Sequence, residues 1–258
     1  MNNFFVESLN YKLKHVDEIS FENPPSLEED YQSFKLLLVN GLLVIEMKDY
    51  FETEQQARLI VEPYIKAWEL DNFLNQGRKE IWFEFIDSKI VESNRTRSNG
   101  SVNIYPKTGE LIYTGFAPTI HITRNKYPTP PRNLCYTNDV ESLLKRYEGF
   151  QKGNEPLLSM AYFCLTIIVS IANNRSAAGK IYNIDKDVLD KLGELTSERG
   201  DKSEARKAKG GTSFNPLTES EKTWINETIK LLIRRKAEYD FDNNAKLSEI
   251  TLNILPVI

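Results

Sequence analysis

Lys126–Arg132 (KYPTPPR) places three prolines in seven residues, and no other stretch constrains the fold so strongly. Each proline fixes φ, lacks a backbone donor and pushes the residue before it out of the helical region, so the chain is expected to run extended here. Strand-type patterns dominate before this stretch and helix-type patterns after it. The expectation is a mixed β-sheet/helix domain over 1–125, a proline-rich connector over 126–132 and a mainly helical domain over 133–258. The expected class is α+β, an antiparallel sheet with a packed helix followed by a helical half.

In the first half, Phe34–Val39 and Leu42–Met47 are apolar runs split by Asn40 and Gly41, residues that readily supply the positive φ of a tight hairpin turn. Glu80–Ile86 alternates Ile81, Phe83 and Phe85 against Trp82, Glu84 and Ile86, and Ser101–Tyr105, Leu111–Thr114 and Thr119–Thr123 are short β-type runs. Thr53 with Gln56 has the form of a capping box, and Ala57, Ile60, Val61, Tyr64, Ile65 and Trp68 recur at helical spacing. Pro63 should kink that helix or restart it. Glu28, Glu29 and Asp30, after Pro24 and Pro25, read as the acidic start of a short helix.

In the second half, helices are expected over Asp139–Tyr147, Glu155–Ala172, Ser176–Leu195 with an internal turn, and Glu219–Glu238, the last opened by a Thr218/Glu221 capping box. Pro156–Ala172 is apolar over about 16 residues, short of the ~20 that cross a bilayer, and reads as a core helix buried all round. The closing ITLNILPVI is too apolar to dangle and should dock on the core.

Composition bounds function by exclusion. Hydrophobic residues make up 40% of the 258, enough for a core without staples, and the N-terminal residues carry no signal-peptide pattern, so a cytoplasmic protein is expected. Cys135 and Cys164 have no partner at metal-ligand spacing, so they read as plain thiols with no zinc, no disulfide and no other cofactor. His15 and His121 are the only histidines. His121-Ile-Thr123 has the form of a His-x-Thr element, but His15-Val-Asp17 does not supply the second copy that two-histidine chemistry requires. Glu80 and Glu84, four residues apart on a strand, stand about 13 Å apart, too far for paired-carboxylate hydrolysis. No phosphate-binding glycine loop or nucleophile elbow is present, and Gly210-Gly211 reads as a hinge.

Two features remain. Ala178–Leu192 resembles the sequence template of a helix-turn-helix: Gly179 sits where the helices would cross, Asn183 suits a left-handed turn and Asp185 can cap the second helix. That second helix presents Asp185, Asp187 and Asp190 against Lys186 and Lys191, a poor balance for meeting phosphates, so a structural hairpin is the first expectation. The following stretch, 199–211, carries Arg199, Lys202, Arg206, Lys207 and Lys209, and Arg234, Arg235 and Lys236 end the last helix. The net charge is −4, with thirteen basic and nineteen acidic residues before residue 126 and twenty against eighteen after it, so a polyanion would meet the second half.

The expected function is a non-enzymatic intracellular binding or regulatory protein that meets nucleic acid through these eight cations or a protein through the helix pair. Alternatives are an enzyme, a nuclease or nucleotide-processing activity, with a dispersed site near Arg95, Arg97, His121 and Arg124, or a structural subunit of a larger assembly. No membrane partner is expected.

Overall fold

A computed structural model describes residues 4–92, 121–200 and 216–258. Its contacts divide the chain into two units, Met1–Pro131 and Arg132–Ile258. The runs Ser101–Tyr105 and Leu111–Thr114 and the glycines Gly210 and Gly211 lie outside the described residues, as do Arg95, Arg97, Lys202, Arg206, Lys207 and Lys209.

The first unit contains β1 (Phe4–His15), β2 (Ile19–Phe21), β3 (Leu27–Asp30), β4 (Phe34–Val39), β5 (Leu42–Met47), α1 (Glu54–Gln76), β6 (Ile81–Glu92) and β7 (Ile122–Arg124). Five strands form an antiparallel sheet in the order β3-β4-β5-β1-β6, and β2 and β7 form a separate parallel pair. The β4–β5 hairpin closes as expected, with Asn40 at φ 49° and Gly41 at φ 73° between the paired Val39 and Leu42.

Two features of this unit differ from the sequence expectation. β1 had no strand pattern assigned to it, yet it lies between β5 and β6. Its buried residues Val6, Ser8, Leu9, Tyr11 and Leu13 break strict alternation, and register shifts fall between Val6 and Ser8 and between Asn10 and Tyr11. A bulge inserts one residue into the period of two, which hides the strand from a periodicity test. The segment Glu28–Asp30 is an edge strand and not the start of a helix; Glu28 forms an ion pair with Lys35 on β4, and Asp30 with Lys48 just beyond the end of β5. Cross-strand cations take the role that a helix dipole was expected to fill.

Pro63 lies inside α1. α1 runs unbroken through it and does not restart. Pro63 and Leu59, whose carbonyl loses the proline's missing donor, are both exposed, so water can satisfy that carbonyl. The capping box at Thr53 and Gln56 forms in both directions, and Gly77 ends the helix in the left-handed region at φ 73°.

α1 lays Ala57, Val61, Ile65 and Trp68 on the sheet, with the Trp68 and Phe83 rings 4.7 Å apart. Tyr127, within the proline-rich stretch, is buried in this same core and accepts a hydrogen bond from the Gly41 N–H at 2.9 Å. Leu9, Leu38, Leu43 and Ile45 are fully buried. Burying one such side chain contributes roughly 1.5–3 kcal/mol, whereas an exposed ion pair contributes about 0–1 kcal/mol, so the sheet–helix layer dominates stability.

The described residues of the second unit form α2 (Asn138–Gln151), α3 (Leu157–Ser170), α4 (Arg175–Tyr182), α5 (Lys186–Glu198) and α6 (Glu219–Phe241), with a 3-10 turn at Leu252–Ile254. α3 contacts the other four helices, but it is not buried all round. Leu158, Met160, Ala161, Cys164, Leu165 and Ile168 form its buried face, while Thr166 and Ser170 are exposed and turn their hydroxyls back onto the carbonyls of Tyr162 and Ile167. Apolar residues outnumber the core positions that this short helix offers. No single described helix is long and apolar enough to cross a membrane, and α3 with α4 reaches that composition only as a pair bent by 76°.

The turn between α4 and α5 has the local geometry its residues suggest. Asn183 is left-handed at φ 49°, and the Asp185 carboxylate accepts the Asp187 N–H at 3.0 Å. A Cβ on Gly179 would stand 2.6 Å from the Ile184 carbonyl oxygen, so only glycine lets the chain pass this closely.

The C-terminal stretch docks in part. Ile250 and Leu255 are buried, whereas Ile254 and Val257 are exposed. Docking runs through backbone: the Ile250 N–H donates to Asn183 O at 3.0 Å, and the Asp185 N–H donates to Ile250 O at 2.8 Å.

Candidate functional site

A helix turns about 100° per residue, so three consecutive cations cannot share one solvent face. In α6, Arg235 and Lys236 turn inward and are each 3% exposed, while Arg234 is half-buried. The Arg235 guanidinium donates to the carbonyls of Tyr182, of Asn183 at 2.9 Å and of Ser248 at 2.5 Å, and its Nε lies 3.1 Å from Glu238. Burial depresses its pKa, while the Glu238 carboxylate acts in the opposite sense. Lys236 Nζ lies 2.6 Å from Asp240 and 3.2 Å from Asp139.

These two residues therefore leave the expected phosphate-binding cluster. Arg235 satisfies carbonyls that the end of α4 cannot bond within its own helix, and Lys236 ties α6 to the first turn of α2. No fragment of sequence around Arg234–Lys236 distinguishes that arrangement from a solvated helix end.

Arg199 ends α5 and bonds Glu221 in the first turn of α6 at 2.6 Å. The same carboxylate accepts the Thr218 N–H at 2.8 Å as part of the capping box. Burial works to raise the Glu221 pKa, but the hydrogen bonds from Thr218 and Arg199 outweigh it and hold the carboxyl below its ordinary value. The pair pins both ends of the basic stretch whose remaining cations lie outside the described residues.

The outward side of α5 meets the C-terminal stretch instead of open solvent. A cleft of about 540 Å³ lies between them. Its polar wall is Asp187, Asp190, Lys191 and Glu194, and its apolar lining includes Trp224, Leu252 and Val257. Asp190 is held by Lys186 and Arg175, and Lys191 by Glu194 at 3.3 Å. A helix facing a mixed acidic and apolar cleft is not arranged to enter a nucleic-acid groove.

The residues of the alternative enzyme site face different partners. His121 Nε2 shares a hydrogen bond with Ser20 Oγ at 2.8 Å, and Ser20 Oγ donates to Thr123 Oγ1 at 3.3 Å. Arg124 bonds the buried Glu80 carboxylate at 2.6 Å and Gln76 at 3.3 Å. A serine–histidine pair performs nucleophilic chemistry only when the base is oriented and donors await an oxyanion, and no described carboxylate bonds His121. Glu80 belongs to an ion pair with Arg124, and Glu84 to one with Lys14 at 3.2 Å.

Cys164 is buried and Cys135 half-buried, and among the described residues no group of three histidine, cysteine, aspartate or glutamate side chains is arranged to hold a metal. Burial pushes the Cys135 thiol above its ordinary value, so a reactive thiolate is not stabilised there. Compared with known proteins, the chain matches no family model, no curated protein and no solved structure.

Proposed function

We propose that this chain is a non-enzymatic binding protein whose helical unit takes a short peptide segment of a protein partner into the cleft between α5 and the C-terminal stretch. The cleft itself carries the proposal. An acidic wall beside an apolar lining suits a segment with a cation next to an aliphatic or aromatic anchor. Val257, on its rim, is 92% exposed and presents apolar surface that a partner would cover. Selection of random phage-displayed peptides on the purified chain should enrich sequences with Arg or Lys beside an apolar residue. Asp187→Lys and Val257→Asp should each abolish that enrichment. No enrichment, or enrichment indifferent to both substitutions, refutes the proposal.

A second reading rests on composition: the stretch between Arg199 and Glu221 contacts nucleic acid through Lys202, Arg206, Lys207 and Lys209, while Arg199 is held by Glu221. Binding of that kind would be weakly selective and steeply salt-dependent. Fluorescence anisotropy with single- and double-stranded oligonucleotides at two salt concentrations should then show weaker binding and a shallower salt slope for Arg206→Ala/Lys207→Ala. Absence of wild-type binding at low salt rejects it.

A further inference from the structure

The turn that joins β4 to β5 is also a chemical weak point. Asn40 stands directly before Gly41, and among the described residues nothing lies within 4 Å of the place where a Cβ on Gly41 would stand. Without a side chain to shield it, the Gly41 nitrogen can lose its proton and attack the carbonyl carbon of the Asn40 side chain. The new N–C bond closes a succinimide ring, and the side-chain amide nitrogen takes up the proton and leaves as ammonia. Water then opens the ring at either carbonyl, giving aspartate or isoaspartate at position 40. Such reactions are what make asparagine a thermolabile residue.

The fold opposes the first step. The Gly41 N–H donates to the Tyr127 hydroxyl at 2.9 Å, and a hydrogen bond made by the neutral form disfavours loss of the proton. Tyr127 is 7% exposed, and its ring packs 5.2 Å from that of Phe21, so the core holds the hydroxyl at the turn. Asn40 at φ 49° and Gly41 at φ 73° are confined between the paired Val39 and Leu42, which restricts the backbone rotation that ring closure needs. Asn40 itself is exposed, so water reaches its side chain. We propose that Asn40 is a latent deamidation site that the Tyr127 hydroxyl keeps closed, and that the hairpin converts when Tyr127 leaves the core. Isoaspartate adds a backbone atom to a two-residue turn whose geometry sets the pairing of β4 with β5, so conversion marks a hairpin that has opened and disturbs its return.

Peptide mapping by mass spectrometry of the full chain, incubated at mildly alkaline pH, reads the conversion of Asn40 directly. The folded wild type should convert more slowly than the same chain unfolded in urea. Tyr127→Phe keeps the ring in the core and removes the acceptor, and should speed conversion of the folded chain by about two- to tenfold, the effect of losing one hydrogen bond. Hydrogen exchange at the Gly41 amide should rise in the same variant. Val61→Ala loosens the same core without touching the bond and should leave the conversion rate unchanged. A folded wild type that converts as fast as the unfolded chain, a Tyr127→Phe rate equal to wild type, an unchanged Gly41 exchange, or equal acceleration by Val61→Ala overturns the proposal.

Discussion

The carboxylate of Glu221 bonds the Arg199 guanidinium at 2.6 Å while its other oxygen caps α6, so one side chain joins the end of α5 to the start of the next helix. Glu221→Gln keeps the shape and removes the charge. It should cost about 1.5–3 kcal/mol at neutral pH, the range for a hydrogen bond to a charged group. Because the folded pKa lies below the unfolded one, the carboxylate's contribution is complete above the ordinary glutamate value of about 4.3 and is lost as pH falls through the folded pKa. Denaturant titrations of wild type and variant should therefore differ at pH 7 and converge in acid. A gap that widens on acidification contradicts this account.

Arg235 holds three backbone carbonyls from inside the helical unit. Arg235→Ala should cost about 3–5 kcal/mol, since Glu238 and the carbonyls lose a buried partner. Arg235→Lys should not restore stability, because a single ammonium cannot reach the same fork of acceptors. Thermal unfolding checks both; a neutral alanine variant would show that the guanidinium is dispensable.

Gly179 passes beneath the Ile184 carbonyl, where an added Cβ would stand 2.6 Å away. Gly179→Ala should destabilise by about 1–3 kcal/mol despite alanine's better helix propensity, because relief requires moving backbone. A stabilised variant in urea unfolding would mean that the turn gives way freely.

Leu165 is 4% exposed on the buried face of α3. Leu165→Asp should cost several kcal/mol by burying an unpaired carboxylate, enough to unfold a unit of ordinary stability. Thr166→Asp, one residue along on the exposed face, should stay folded by circular dichroism. Equal loss in both variants would place the exposed face in a contact as well.

The features legible in the sequence are those whose interactions close within a few residues. Asn40 and Gly41 specify their hairpin because the turn needs only two positive φ values. Thr53 with Gln56, and Thr218 with Glu221, specify helix starts because donor and acceptor are three residues apart. Asn183 and Asp185 shape the α4–α5 turn in the same way, through one left-handed residue and one cap. Long-range pairing decided the rest. β1 disguises its period with a bulge, and the acids of β3 take their meaning from Lys35 on β4 and Lys48 just beyond β5. Arg235 and Lys236 are spelled like a solvated basic helix end, and what holds Arg235 inside is the carbonyl oxygen of Tyr182, 53 residues away. An exposed cation and a buried one share the same local sequence, because the acceptors that stabilise the buried charge reach it only when the helices pack.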